Sequence, residues 1–265
     1  MLRVGEGVHL PSDANDLLKR HQAAVDSEPT YASRVDRAKT RWDAVKKRTP
    51  PFVDVKERLD QMCWGNRRCM YCEDSAADEI EHFLPKDLYP ERCFVWENYL
   101  YACGPCNGPK NNQFGVIPAG QSQPVEVSRA RGTPVVPPVS GRAALIDPRT
   151  EDPLAFLWLD IRETFWFQPR VTLTPYKAER AHYTIRTLRL NRPYLVEGRA
   201  CAYTDRLAQT RAASQHRAHP RGLAALRRAI ENTSHRSVWE EMKRQHEGIA
   251  ELLLAFADAQ ELLRW

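Results

Sequence analysis

The chain has 265 residues, with 42% hydrophobic and 28% charged side chains and a formal net charge of +5. Such a composition can build a packed core and excludes disorder as the default state, while the length suits one large domain or a compact core with appendages. The longest uninterrupted apolar runs, residues 154–159 and 252–257, have six residues, far short of the ~20 needed to cross a bilayer.

The opening MLRVGEGVHLPSD carries charge and glycine where a secretory signal needs an apolar stretch, so a cytoplasmic location and no membrane association are expected. Helical spacing of apolar residues predicts helices over 13–25, after a Ser12/Asp13 cap signal, over 29–47, with Tyr31, Val35, Ala38 and Trp42 on one face, and over 53–62. Pro50-Pro51 separates the last two. A cysteine-rich, turn-rich stretch then runs from 63 to about 114. Residues 118–148 hold six prolines and no helical period, which predicts an irregular connector with one short strand at most. The segment FLWLDIRETFWF predicts two short strands, and helices follow over 176–188, 193–214, 222–232 and 237–263. The expected fold class is therefore α+β and mostly helical. It divides into an N-terminal helical segment (1–62), a metal-bearing module (63–117), a Pro-rich connector with short strands (118–172) and a basic helical C-terminal part (173–265).

The basic excess is concentrated between residues 177 and 243, leaving the rest of the chain net acidic. Most of the basic residues are arginine, whose planar fork binds phosphate bidentately. Arg192, Arg199 and Arg206 recur every seven residues, and the last two share one face of the helix after Pro193. With Arg186 and Arg189 they could track a DNA backbone, or they could form a solvated face or a surface for a partner protein.

Six of the seven cysteines fall between Cys63 and Cys106. In a reducing compartment such clustering points to a metal rather than to disulfides. Cys69-Met70-Tyr71-Cys72 and Cys103-Gly104-Pro105-Cys106 are two CxxC pairs, each presenting two thiolates from one tight turn, as a tetrahedral structural Zn²⁺ requires. Cys63 and Cys93 lie outside this spacing and read as small core residues. Thirty residues separate the two pairs, more than a plain zinc ribbon uses, and the insertion carries Glu81-His82 and Asn98. Asn107 and Lys110 follow the second pair.

This order, CxxC, acidic-His, Asn, then CxxCNxxK, resembles the zinc-braced HNH endonucleases. The resemblance implies a ββα-metal unit, a β-hairpin and helix around one divalent cation, with zinc holding the small unit together. It implies His82 as the general base, Glu81 and Asn107 as ligands of a catalytic Mg²⁺ or Mn²⁺, and Asn98 holding the hairpin loop and orienting the imidazole. Lys110 would contact phosphate. A neutral imidazole with an ordinary pKa near 6.5 suits a general base at cytosolic pH. Pro109 would interrupt the helix carrying Asn107 if its first turn begins at Gly104.

Longer phrases, CMYCE, EIEHFLPK, WENYLYACGPCN, QFGVIP, LIDPRTEDPLAFL and YTIRTLRLNRPYLVEGR, are similar to the PtuB family, the HNH subunits of Septu and retron-linked anti-phage systems. The resemblance covers roughly residues 69–199 and implies a PtuA-like ABC-type ATPase partner and DNA as substrate, although one-strand nicking or RNA cleavage fits the same site. The alternative is a catalytically inactive zinc module that binds nucleic acid or a partner protein. Asp147, Glu151 and Asp152 could be further metal ligands or turn caps. His216, His219, His235 and His246 lack ligand spacing with any second motif.

Overall fold

The computed structural model describes residues 1–5, 7–45, 51–216 and 220–265, without the side chains of 214–216 and 220. The expected His216 and His219 side chains, and residues 46–47 of the second expected helix, thus lie outside the described set.

Three N-terminal helices come first: α1 (Ser12–Asp26), α2 (Tyr31–Val45) and α3 (Phe52–Met62). Each buries one stripe at helical spacing, Ala14, Leu18, Gln22 and Val25 on α1 and Val35, Ala38 and Trp42 on α2. Strand β1 (Glu79–His82) pairs antiparallel with β2 (Tyr99–Ala102), with Glu81 opposite Leu100 and His82 opposite Tyr99. A 16-residue excursion, 83–98, joins the two strands. Helix α4 (Gly104–Lys110) follows directly, completing a β-hairpin and helix. The second CxxC pair sits at the start of α4 and the first pair in the turns before β1.

The connector is more ordered than its prolines suggest. Strand β3 (Gly115–Ile117) lies between β4 (Val125–Glu126) and β5 (Arg142–Ala143) in a three-stranded antiparallel sheet. Two-residue strands are too short to give a period, so the sequence conceals them. A hairpin of β6 (Leu157–Leu159) and β7 (Phe167–Pro169) follows, as the aromatic alternation predicts.

The C-terminal part consists of α5 (Pro175–Thr187), α6 (Pro193–His216), α7 (Pro220–Asn232), α8 (Arg236–Gln245) and α9 (Ala250–Ala257). The single helix expected over 237–263 is broken. The chain passes through a short 3-10 turn at His246–Gly248, and Ile249 is extended (φ −130°, ψ 110°) before α9 begins. One continuous hydrophobic core draws on all four expected segments, from Leu18 and Trp42 through Tyr71 and Leu100 to Leu157, Leu195 and Trp239. The cysteine-rich unit is thus built into a larger body, as a module of about fifty residues needs for rigidity. Among the described residues no helix is long and apolar enough to cross a membrane.

A four-cysteine centre and the cleft above it

The sulfurs of Cys69, Cys72, Cys103 and Cys106 all lie within 4.8 Å of one another, and all four residues are buried. The Cys72 and Cys103 sulfurs are 3.8 Å apart, close to the edge of about 3.8 Å that follows from a tetrahedron with metal–sulfur bonds near 2.3 Å. The Cys103 amide donates to the Cys69 sulfur at 3.3 Å, as peptide N–H groups do around thiolate-bound metals. Donor type, number and spacing all fit Zn²⁺. Burial pushes the Cys69 thiol up, whereas hydrogen bonds from Cys103 and its neighbours hold Cys72 well down.

Cys93 is buried, and burial pushes its thiol up; Cys63 is half-buried and pushed up to about 12 by the same cause. Both keep the roles expected of small core residues.

Arg192, expected on a DNA-tracking face, instead packs its guanidinium against this centre. Pro109 has no N–H to donate to the carbonyl four residues back, that of Pro105, which would be left unpaired inside α4. Arg192 Nη1 takes that carbonyl at 2.5 Å, and Nη2 lies 3.1 Å from the Cys106 sulfur. The helix therefore tolerates Pro109, because it is only seven residues long and a distant guanidinium replaces the missing donor.

Alternation along β1 sends Glu79 and Glu81 toward α4 and His82 toward α2. On the α4 side there are two rungs. Asn107 Nδ2 donates to Glu79 Oε2 at 2.6 Å, and Lys110 forms an ion pair with Glu81. Lys110 is fully buried and also donates to the His82 carbonyl at 2.9 Å. The expected phosphate contact at Lys110 is corrected accordingly: its ammonium is spent inside the unit, balancing a carboxylate whose burial pushes its pKa up. Glu81 and Asn107 are both on the cleft, but they turn to different partners. Among the described residues the four cysteines are the only His, Cys, Asp or Glu group gathered closely enough to hold an ion. The donors here suit a hard cation chemically, but these side chains do not yet converge on one point.

On the other side of β1, the His82 ring is buried against Trp42, with centroids 4.3 Å apart at 68°, and against Tyr99 at 5.3 Å. His82 Nε2 lies 2.9 Å from the Cys93 carbonyl, which also accepts from the Tyr99 hydroxyl at 2.8 Å. A carbonyl only accepts, so Nε2 carries the hydrogen of this contact; when the ring is neutral, Nδ1 is then its basic nitrogen. Asn98 closes the excursion. Its Oδ1 accepts from the Leu84 amide at 2.8 Å, and its Nδ2 donates to the Leu84 and Arg92 carbonyls at 3.0 and 2.9 Å. Both amide hydrogens go to the loop, as expected of a residue that holds it, and the His82 ring is oriented through Cys93.

Glu81, His82 and Asn107 line one cavity of about 630 Å³, together with Glu79, Lys56 and Lys86. Strand alternation could have flagged Glu79, two residues before Glu81. Lys56 on α3 and Trp42 on α2 carry no local signal, because only the tertiary fold brings those helices to the hairpin.

Arg199 and Arg206 correct the other half of the expected DNA face. Both are fully buried. Arg199 donates to the carbonyls of Phe165, at 2.9 Å, and Leu190, and stacks over Phe167. Arg206 takes the carbonyls of Thr233, Ser234 and His235 at 2.9–3.0 Å. Burial lowers each guanidinium pKa to about 10. The seven-residue spacing does put them on one face of α6, and that face points inward. Asp147, Glu151 and Asp152 act as turn and helix partners: Asp147 caps Arg149 and Thr150, Glu151 forms a bidentate pair with Arg180, and Asp152 caps Leu154. His235 pairs with Asp74 at 3.2 Å and His246 Nδ1 sits 2.8 Å from the Lys243 carbonyl.

Fold and site together define a β-hairpin and helix beside four buried cysteines that could hold a metal ion, with a carboxylate, an imidazole and an amide at one cleft. Among known proteins, the chain is 48% identical over 51 residues to the Septu protein PtuB of Bacillus thuringiensis. That match covers 17% of this chain and 20% of the relative, so the chain spans about a fifth of the relative's length. No family model matches the chain.

Proposed function

We propose that the chain is a metal-dependent HNH endonuclease that hydrolyses DNA phosphodiester bonds, acting as the nuclease subunit of an anti-phage defence system of the Septu kind. The observation that carries this reading is the His82 ring, fixed beside Glu81 at a cleft with its Nε2 hydrogen on the Cys93 carbonyl. That tautomer presents Nδ1 as the atom able to take a proton from water attacking phosphorus. Asn98 keeps the excursion, and thereby the Cys93 carbonyl, in place. Lys56 and Lys86, the cations lining the cleft, are suited to hold phosphates flanking the scissile bond. Glu81 and Asn107 would hold a Mg²⁺ or Mn²⁺, whose charge offsets that building on the phosphate. To do so both side chains would have to turn from their present partners, Lys110 for Glu81 and Glu79 for Asn107. The similarity to PtuB supports a defence role and a PtuA-like ATPase partner.

The Glu81–Lys110 pair favours a second reading, a zinc module that binds nucleic acid or protein without cutting. Plasmid incubated with zinc-loaded protein and Mg²⁺ or Mn²⁺, with and without the candidate ATPase, separates the two. The nuclease reading expects cleavage that His82→Ala abolishes. The second expects binding without cleavage under every condition.

A further inference from the structure

Four contacts tie the 83–98 excursion to the N-terminal helices. Tyr31 donates to the Leu88 carbonyl at 2.9 Å. Gln22 donates to the Pro90 carbonyl at 3.1 Å and accepts from the Phe94 amide at 2.8 Å. The Cys93 thiol faces the Ala38 carbonyl at 3.8 Å. Gln22 is buried on α1, and its two bonds bracket Cys93. The Cys93 carbonyl is the group that holds His82 Nε2. Trp42, 5% exposed on α2, closes the same pocket: its indole meets the His82 imidazole edge-on at 4.3 Å and is itself wedged against Phe52 at 5.1 Å and Tyr99 at 5.7 Å. The imidazole is therefore packed both by Tyr99 of its own hairpin and by Trp42 of a helix more than thirty residues upstream.

We propose that the N-terminal helical segment is part of the catalytic machinery, with Trp42 and Gln22 as positioning residues that fix the plane and tautomer of His82. The proposal rests on the nuclease reading of the cleft. Its physical basis is that a neutral imidazole has two tautomers, and the one that is populated depends on the acceptor held against one nitrogen. Gln22 places that acceptor, and Trp42 stops the ring from turning away from it. Residues 63–117 supply the base, the Cys93 acceptor and the Tyr99 contact; the N-terminal helices add the Trp42 contact and the Gln22 bonds on either side of that acceptor.

The test uses the full-length, zinc-loaded chain and three substitutions, Trp42→Leu, Gln22→Met and Trp42→Phe. Each is read by zinc content, by kcat and KM on duplex DNA, and by long-range ¹H–¹⁵N correlation of the histidine rings at fixed pH, with the His82 signals assigned by their loss in His82→Gln. The proposal predicts one zinc per chain throughout, and kcat lowered about 10- to 100-fold in Trp42→Leu and Gln22→Met with KM unchanged. It predicts substantial recovery in Trp42→Phe, which restores an aromatic edge. The spectra should show His82 as the Nε2–H tautomer in the wild type and as a mixture in Trp42→Leu and Gln22→Met. A single Nε2–H tautomer in both variants, with wild-type kcat, overturns the proposal and leaves the nuclease reading standing. If the wild type cuts no DNA, that reading fails and the spectra alone decide this one: mixed tautomers support positioning, and unchanged tautomers refute it. If Trp42→Leu loses zinc, Gln22→Met decides by the same readouts.

Discussion

Lys110 shows how a buried charge is managed one residue at a time. Its ammonium is fully buried, and its partners are the Glu81 carboxylate and the His82 carbonyl. Removing one partner of such a pair leaves the other charge buried alone, which costs about 3–5 kcal/mol. Lys110→Met should therefore lower stability by about that amount in denaturant unfolding. If Glu81 is a cation ligand, Mn²⁺ should restore part of the loss by replacing the missing positive charge. A Lys110→Met melting temperature that Mn²⁺ leaves unchanged counts against Glu81 as a ligand. Glu81 and His82 lie on β1 and Asn98 immediately precedes β2, a neighbourhood that their order along the chain already implies. The resemblance misassigned Lys110, because a lysine beside a motif has the same sequence signature whether its ammonium reaches solvent or folds back onto a carboxylate.

Arginines at heptad spacing illustrate the same ambiguity at the level of the element. Arg199 and Arg206 occupy the inward face of α6 and hold carbonyls of Phe165 and His235, two residues with left-handed backbone at φ 54° and 55°. Non-glycine residues at such angles need external support, and the buried guanidinium groups provide it. Arg206→Leu should cost about 3 kcal/mol, since buried carbonyls lose a charged donor, while DNA affinity of the folded fraction stays at the wild-type value. A large loss of affinity with unchanged stability would instead restore these residues to a DNA face. Spacing revealed that the two arginines share a side of the helix; only the packing of α6 reveals which side is buried.

The turn between β6 and β7 gives a pH test at the same scale. Burial alone would raise the Asp160 pKa, but hydrogen bonds from Thr164, Arg162 and Glu163 outweigh it and hold the carboxyl below its usual 3.8. A depressed folded-state pKa contributes stability above the unfolded value, and that stability is lost as pH falls through the folded value. Unfolding free energies of wild type should therefore decline below about pH 4 more steeply than those of Asp160→Asn. Parallel curves would show that Asp160 contributes no such linkage.

At the level of the whole molecule, the four-cysteine centre, Arg192 and the N-terminal helices act as one brace around a short hairpin. The cysteine pairs were legible in the sequence because CxxC turns are local. The partners that complete the brace were not, because Arg192 lies 86 positions from Cys106 and its role arises from the donor that Pro109 lacks. The helices were legible as periodic stripes, except that the last was read through the Ile249 break, where apolar residues continue across a non-helical turn. Thiol alkylation at pH 8 reads the brace directly. With zinc bound, the exposed Cys201 should react while half-buried Cys63, with its thiol pushed to about 12, stays protected. Chelation should then release the four ligand cysteines to the reagent and lower the unfolding temperature. Rapid labelling of those four before chelation would contradict the metal centre.

Whether His82 is the base of a DNA-cutting site is read from the ratio of single-turnover cleavage rates of wild type and His82→Ala. The measurement uses matched zinc content and Mg²⁺ or Mn²⁺, with the ATPase partner present and absent. If His82 is the base, the wild-type rate is at least about 100-fold above that of His82→Ala, the contribution expected of a positioned general base. Equal rates, or no cleavage by wild type under any of these conditions, would contradict that role.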